Sequence, residues 1–293
     1  MFDTNSLAAF AAEYPSYFFA FLAVLGLLVG SFLNVVILRL PEMMHRSWTR
    51  DCRELLELKA EESEDTFSLS FPASHCPGCQ SPIKAWQNVP VVSFLLLRGR
   101  CAQCDRSIGW RYPAVELLTA VASVLVGTQI GWSVALPAYL FLTWTLIALS
   151  GIDIDTQLLP DDITLPLLWA GLVFNLFFGS VALEDAVLGA VFGYLLLWSV
   201  YWLFKLVTGK EGMGYGDFKL LAALGAWLGW QSLPVVILLS SATGAVLGIL
   251  IITVRGKSRS QPLPFGPYLA IAGWIALLWG DRLSGILLPG SSM

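Results

Sequence analysis

Two short acidic stretches interrupt a sequence that otherwise consists of long apolar runs. Residues 212–217 alternate glycines with other residues and end in Asp217. Residues 151–155 contain Asp153 and Asp155, and they also lie where one apolar run gives way to the next. Alternating glycines permit close approaches and backbone angles that a helix does not use, and a carboxylate at a membrane boundary is costly unless it has a function. The two stretches therefore predict a pair of aspartates that act together.

Two aspartates that meet in a partly dry site cannot both ionise easily, so they would share one proton. One carboxylate would then activate water, while its protonated partner polarises the scissile carbonyl and protonates the leaving nitrogen. Other hydrolytic groups fit poorly, because the only histidines, His45 and His75, lie in one polar insert and the sequence has no H-E-x-x-H motif. The residues thus predict aspartic peptidase chemistry by Asp217 with either Asp153 or Asp155.

Some of the acids also have a simple structural explanation. Asp161 or Asp162 is well placed to cap the helix that is predicted to start near Ile163. Asp153 adjoins the apolar run before it, and we expect its side chain to project from the cytoplasmic end of a membrane helix into the helix bundle. For Asp217, the structural alternative is a flexible glycine turn in which the carboxylate only caps the next helix.

The polar insert also carries two C-x2-C pairs, formed by Cys76, Cys79, Cys101 and Cys104. Four thiolates make a tetrahedral site for zinc, and the 21 residues between the pairs lie just outside the usual zinc-ribbon spacing. Two disulfides would need an oxidising compartment, and an iron centre would use the same ligands. We predict a structural Zn²⁺ ion that folds a small domain with little core of its own. Cys52 is then a spare thiol, and His75 is a neighbour of the site and not a ligand.

Composition places the chain among polytopic membrane proteins. Of its 293 residues, 56% are hydrophobic and only 13% are charged, which is far from soluble-domain composition. Eight apolar runs each approach the roughly 20 residues that a membrane helix needs. They lie at residues 17–38, 113–131, 134–151, 163–180, 182–206, 218–232, 234–254 and 265–281. We therefore predict an all-α membrane protein with about eight transmembrane helices and no cleaved signal peptide.

Lysine and arginine concentrate in loops on the cytoplasmic side of a membrane. With both termini outside, four inside segments and the adjoining helix ends hold every Lys and Arg except Arg282. These segments are residues 39–112, 152–162, 207–217 and 255–264. The insert and both acidic stretches therefore share the cytoplasmic face. The predicted organisation is a periplasmic N-terminus and first membrane helix at 1–38, a cytoplasmic four-cysteine zinc domain at 39–112, and a membrane bundle with the aspartates at 113–293.

Several short motifs occur in order along nearly the whole chain. Asp153 is followed seven residues later by Pro160-Asp161, and Gly214-x-Gly216-Asp217-x-Lys219 comes further on. The other motifs of the set are Gly30-Ser31-Phe32-Leu33-Asn34-Val35-Val36, Pro41, the paired C-x2-C, Arg111-Tyr112-Pro113 with Glu116-Leu117, Thr164 with Pro166, and Pro264-Phe265-Gly266-Pro267. This ordered set resembles the GxGD aspartic proteases of the type IV prepilin peptidase family, and the four-cysteine insert is similar to that of its longer, bifunctional members.

The resemblance implies that Asp153 and Asp217 are the catalytic pair, because the family's first aspartate stands seven residues before the proline and its second closes the GxGD motif. The implied substrates are prepilins and type II secretion pseudopilins, whose short basic leader is cut after a glycine on the cytoplasmic side of the bacterial inner membrane. The bifunctional members also N-methylate the new N-terminal residue with S-adenosylmethionine. The sequence shows no Gly-rich Rossmann turn, so we expect the insert and adjoining loops to carry this transfer.

Two interpretations of a different class stay open. A proton-coupled transporter with a zinc-binding cytoplasmic domain would also use intramembrane carboxylates, although the sequence shows no convincing repeat. A non-catalytic assembly factor would use the zinc domain for docking, and it predicts that Asp153→Asn and Asp217→Asn are harmless. In each case the chain is embedded in the lipid bilayer, and we expect no nucleic-acid partner.

Overall fold

The structure is built from helices. The computed structural model describes residues 9, 11–58, 67–255 and 264–287, and among these residues there is no strand, only two isolated β-bridges. The α-helices are α1 (Pro15–Leu55), α2 (Val92–Leu96), α3 (Arg111–Ile130), α4 (Leu136–Thr156), α5 (Asp161–Phe178), α6 (Leu183–Thr208), α7 (Tyr215–Leu228), α8 (Leu233–Arg255) and α9 (Gly266–Leu287). Short 3₁₀-helices lie at Ala85–Asn88 and Trp230–Ser232. The predicted all-α class is therefore confirmed.

Five of these helices, α1, α3, α4, α5 and α6, are long and apolar enough to cross a membrane. The apolar segments on α8 and α9 are shorter within the described residues, at Trp230–Val246 and Gly266–Gly280, and α7 has only 14 residues. Seven of the eight predicted apolar runs coincide with a single α-helix, and the run at 218–232 covers α7 and the 3₁₀-helix that follows it. The multi-pass helical fold is thus confirmed, whereas the number of eight spans stays a prediction.

Helix α1 is much longer than its apolar run. Its 41 residues continue through Pro41 to Leu55, and roughly 60 Å of helix is about twice the thickness of a bilayer core. Beyond Pro41 the helix is polar, and Nε of Arg46 pairs with Oε1 of Glu42 at 2.8 Å. The segment after residue 38 therefore begins as an extension of the membrane helix. The acidic stretch at residues 54–65 lies partly at the end of α1 and partly outside the described residues.

The chain divides into two compact units, Met1–Leu140 and Phe141–Met293. In the first unit, Gly26 and Gly30 of α1 lie against the backbone of α3. A Cβ atom at Gly26 would lie 2.6 Å from Cα of Ala120, and one at Gly30 would lie 2.7 Å from Cα of Glu116. Small residues let membrane helices approach each other in this way. The close packing fixes Glu116 next to α1.

In the second unit, α7 is the central element. Residues 220–227 are all buried, and the helix packs against α5, α6 and α9, as expected of a helix that is apolar on every side. Two hydrogen bonds fix its C-terminal end to α5. Nε1 of Trp227 donates to the carbonyl of Leu167, and Nδ2 of Asn175 donates to the carbonyl of Ala226, each at 2.9 Å. The helix that carries the second acidic stretch is therefore held firmly within its unit.

Candidate active site and thiolate centre

Asp217 lies in the first turn of α7, at the end of the glycine-rich stretch, and is only 6% exposed. Gly214, the residue before the helix, is extended, with φ −83° and ψ 153°. This is a backbone conformation that a helix does not use, as expected, although none of the three glycines has a positive φ. The predicted close approach is confirmed, because a Cβ atom at Gly216 would lie 2.6 Å from Cβ of Leu159.

Asp153 lies in the last turn of α4 and is 4% exposed. Its Oδ2 accepts a hydrogen bond of 2.9 Å from the backbone N–H of Gly266, the first residue of α9. A Cβ atom at Gly266 would lie 2.7 Å from the same oxygen, so no larger residue fits there without moving the carboxylate. Asp155 is exposed. Burial therefore separates the two acids between which the residue types alone could not choose.

The carboxylates of Asp153 and Asp217 belong to different helices of the second unit and lie close enough to interact electrostatically. Leu159, in the connection between α4 and α5, adjoins both sites. A Cβ atom added at Gly216 would have Cβ of Leu159 as its nearest neighbour. A Cβ atom added at Gly266 would lie 3.2 Å from Cδ1 of Leu159. An apolar neighbour that excludes water strengthens the interaction between charges. The structure thus brings together two buried acids beside an apolar side chain.

Asp161 has a partner that its local sequence does not indicate. Helix α5 begins at Asp161 after Pro160, with no side-chain hydrogen bond at the cap. The predicted cap by Asp161 or Asp162 is therefore wrong, because the helix starts two residues earlier than expected and both acids fall in its first turn. The Asp161 carboxylate instead binds Nζ of Lys219 through both oxygens, at 2.6 and 2.7 Å. This ion pair joins the first turn of α5 to the N-terminal half of α7.

The four cysteines predicted to bind metal lie together in the first unit. The Sγ atoms of Cys76, Cys79, Cys101 and Cys104 all lie within 4.8 Å of one another, and His75 is outside the cluster. Cys76 and Cys104 are 3.7 Å apart, and Cys79 and Cys101 are 4.0 Å apart. Sulfurs around a tetrahedral zinc ion lie about 3.8 Å apart for Zn–S bonds of about 2.3 Å. The thiols form no disulfide, so the donor set fits zinc, and it would also fit iron.

The backbone of both knuckles favours thiolates. The N–H of Gly78 lies 3.4 Å from Sγ of Cys76, and the equivalent amide of the second knuckle lies 3.5 Å from Sγ of Cys101. The Ser81 hydroxyl, 2.9 Å from Sγ of Cys79, lowers the pKa of that thiol to about 6. Metals bind the thiolate and not the thiol. Hydrogen bonds that stabilise the thiolate therefore favour the binding of a metal cation.

We expect the purified protein to contain about one zinc ion per chain. Cys101→Ser removes one of the four thiolates, so the zinc content should fall to a small fraction of that of the wild type. Cys52→Ser is the matched control, because Cys52 is an exposed cysteine on α1 outside the cluster. Elemental analysis after dialysis measures both variants. A full complement of zinc in Cys101→Ser would contradict the assignment of this site.

These features define the class of protein: a polytopic helical membrane protein with a buried pair of aspartates in one unit and a four-thiolate centre in the other. Residues 24–130 match the model of the bacterial peptidase A24 N-terminal domain. Residues 140–249 match the model of the type IV leader peptidase family. The chain belongs to this family, which the motifs predicted, and it is an enzyme.

Relatives resemble the chain over nearly its whole length. Three that are named prepilin leader peptidase/N-methyltransferase come from Stutzerimonas stutzeri, Pseudomonas aeruginosa and Neisseria gonorrhoeae. The first is 58% identical over 94% of this chain and 95% of its own. The second is 56% identical over 95% of this chain and 96% of its own. The third is 52% identical over 97% of this chain and 96% of its own. No solved structure matches the chain.

Proposed function

We propose that the chain is an intramembrane aspartic endopeptidase that removes the short basic leader from type IV prepilins and type II secretion pseudopilins. The observation that carries this proposal is the buried pair of Asp153, in the last turn of α4, and Asp217, in the first turn of α7. A pair of buried acids beside an apolar side chain is suited to activating water. The names of the relatives support the same activity.

In the proposed reaction, the ionised carboxylate takes a proton from water. The protonated partner polarises the scissile carbonyl and then gives its proton to the leaving nitrogen. Oδ2 of Asp153 already accepts the N–H of Gly266. Because a hydrogen bond donated to a carboxylate favours its ionised form, this contact favours the shared proton on Asp217 over Asp153. Gly266 is a positioning residue in this scheme, because it fixes the orientation of the Asp153 carboxylate.

The proposed setting is the bacterial inner membrane, with the aspartate pair facing the cytoplasm. The relatives are bacterial, the chain has several helices apolar enough to span a membrane, and the positions of Lys and Arg support the orientation. The corresponding parts are a periplasmic N-terminus with the first membrane helix at 1–38, a cytoplasmic domain with structural zinc at 39–112, and the protease bundle at 113–293.

We also propose that the chain N-methylates the new N-terminal residue. The name of the relatives supports this second activity, and S-adenosylmethionine is the proposed cofactor. When bound, it supplies a methyl group attached to a positively charged sulfur. The protein's part is to bind this donor and to bring the new α-amine to it.

One incubation tests both activities. Purified protein in lipid receives a prepilin-like precursor and a methyl donor labelled in its methyl group. We expect a free leader peptide and label in the mature chain. If the precursor stays uncut and protons cross the membrane of the same lipid vesicles, the transporter interpretation would replace the peptidase proposal.

A further inference from the structure

A cavity of about 350 Å³ lies in the first unit, and neither Asp153 nor Asp217 is among its lining residues. Its wall is formed by α1, by both cysteine knuckles with the segment between them, and by the start of α3. Cavities that hold small organic ligands begin at about this size, at roughly 300 Å³. Two of the four predicted metal ligands, Cys76 and Cys101, line one part of the cavity. Its walls on α1 and α3 belong neither to the thiolate cluster nor to the aspartate pair, so they need a separate explanation.

Asn34 provides an unused acceptor on the wall of this cavity. Its side chain is 3% exposed, and Nδ2 donates to the carbonyls of Gly30 and Tyr112 at 3.2 and 3.1 Å. Oδ1 is buried and has no hydrogen-bond partner. A buried acceptor without a partner is costly, and native structures rarely tolerate one without a reason. The amide therefore points to a ligand that brings a hydrogen-bond donor.

Glu116 places a carboxylate on the same wall, although its side chain is only 7% exposed. Oε2 accepts the backbone N–H of Val91 at 2.8 Å. Val91 has a φ of 59°, which is a strained conformation for a β-branched residue. The hydrogen bond from this strained residue fixes an acidic group where a cationic ligand would meet it.

We propose that this cavity binds S-adenosylmethionine, an assignment that rests on the N-methyltransferase half of the proposed function. The donor carries a positive sulfur, an ammonium group and an amino group on its base. Asn34 offers Oδ1 to one of its N–H groups, and the Glu116 carboxylate faces its ammonium group, which S-adenosylhomocysteine keeps. The cavity also explains why a peptidase carries a four-cysteine domain, because the knuckles form part of its wall.

The methyl transfer needs no reactant other than the α-amine of the mature chain and S-adenosylmethionine. The lone pair of the neutral α-amine forms the new N–C bond as the S–C bond breaks. The bonding electrons stay on sulfur, which leaves as neutral S-adenosylhomocysteine, and the methylated nitrogen releases one proton to water when it returns to the neutral amine.

Calorimetric titration of full-length protein with S-adenosylhomocysteine tests the cavity without any turnover. Val35→Phe adds bulk to the cavity wall but leaves its polar groups intact, whereas Glu116→Gln removes the charge. We expect each variant to bind at least about tenfold more weakly than the wild type. Glu54→Gln, a matched change at an exposed acid on α1, should bind like the wild type.

Equal affinity in the wild type and in both cavity variants, in a protein that methylates its substrate, would overturn the cavity assignment and leave the proposed function intact. A wild type that cleaves precursor but neither binds the product nor methylates would overturn the methyltransferase proposal itself. A photoreactive S-adenosylhomocysteine analogue gives an independent answer on unmutated protein. We expect it to label peptides that contain residues 31–39 or 74–116, and labelling confined to other peptides would overturn the assignment.

Discussion

Replacing either Asp217 or Asp153 by asparagine should lower the rate of precursor cleavage by about a thousandfold or more. Asparagine fills the same space but can neither accept a proton from water nor donate one to the leaving nitrogen. The two losses should be of similar size, because residues that act as one catalytic unit each remove most of its effect. Initial rates of leader release from a synthetic prepilin-like precursor measure both variants.

Asp155→Asn is the matched control for these substitutions. Asp155 is two positions from Asp153 but exposed, so its variant should cleave at close to the wild-type rate. The zinc content of each purified variant shows that the protein has kept its fold in the first unit. A severe loss in Asp155→Asn with normal cleavage by Asp153→Asn would reassign the pair. Normal cleavage by both Asp153→Asn and Asp217→Asn would remove the aspartic mechanism.

Gly266→Ala should lower kcat by about tenfold to a hundredfold. The added Cβ would lie 2.7 Å from Oδ2 of Asp153, so the carboxylate has to move, and a displacement of about 1 Å at a catalytic group costs on the order of a hundredfold. KM should change little, because the substitution keeps the backbone N–H and acts on the orientation of the Asp153 carboxylate. Steady-state kinetics with the precursor separate the two parameters.

Gly280→Ala is the control in the same helix, because a Cβ atom at Gly280 would meet nothing within 4 Å. We expect this variant to have the kinetics of the wild type. If Gly266→Ala also had them, the hydrogen bond to Gly266 would not fix the Asp153 carboxylate. A rise in KM at constant kcat would instead place Gly266 in substrate binding.

The parts of the molecule that depend on local patterns could be predicted from the sequence. Apolar runs of membrane length predicted the helices, because helix length and hydropathy are local properties. The paired C-x2-C motifs predicted the thiolate cluster, since two knuckles bring four sulfurs together whenever the intervening chain folds back. The acidic stretches were found in the same way, as carboxylates at the ends of apolar runs.

The details of the site depend on contacts that no local pattern encodes. The partner of Asp161 is 58 residues away at Lys219, and the amide that binds Asp153 is 113 residues away at Gly266. Both contacts follow from the packing of α4, α5, α7 and α9. The glycine between two prolines at 264–267 is typical of a tight turn, but the acceptor of its N–H cannot be read from the sequence. The residue types alone likewise could not choose Asp153 over Asp155; the family resemblance implied that choice, and the burial of Asp153 supports it.

The most direct test of the aspartate pair is the intact mass of a prepilin-like precursor after incubation with purified protein and S-adenosylmethionine. With the wild type, we expect a product whose first residue follows the glycine of the leader and which carries one added methyl group. With Asp217→Asn, we expect the precursor at its original mass. Removal of the leader by Asp217→Asn at the wild-type rate would contradict catalysis by Asp153 and Asp217.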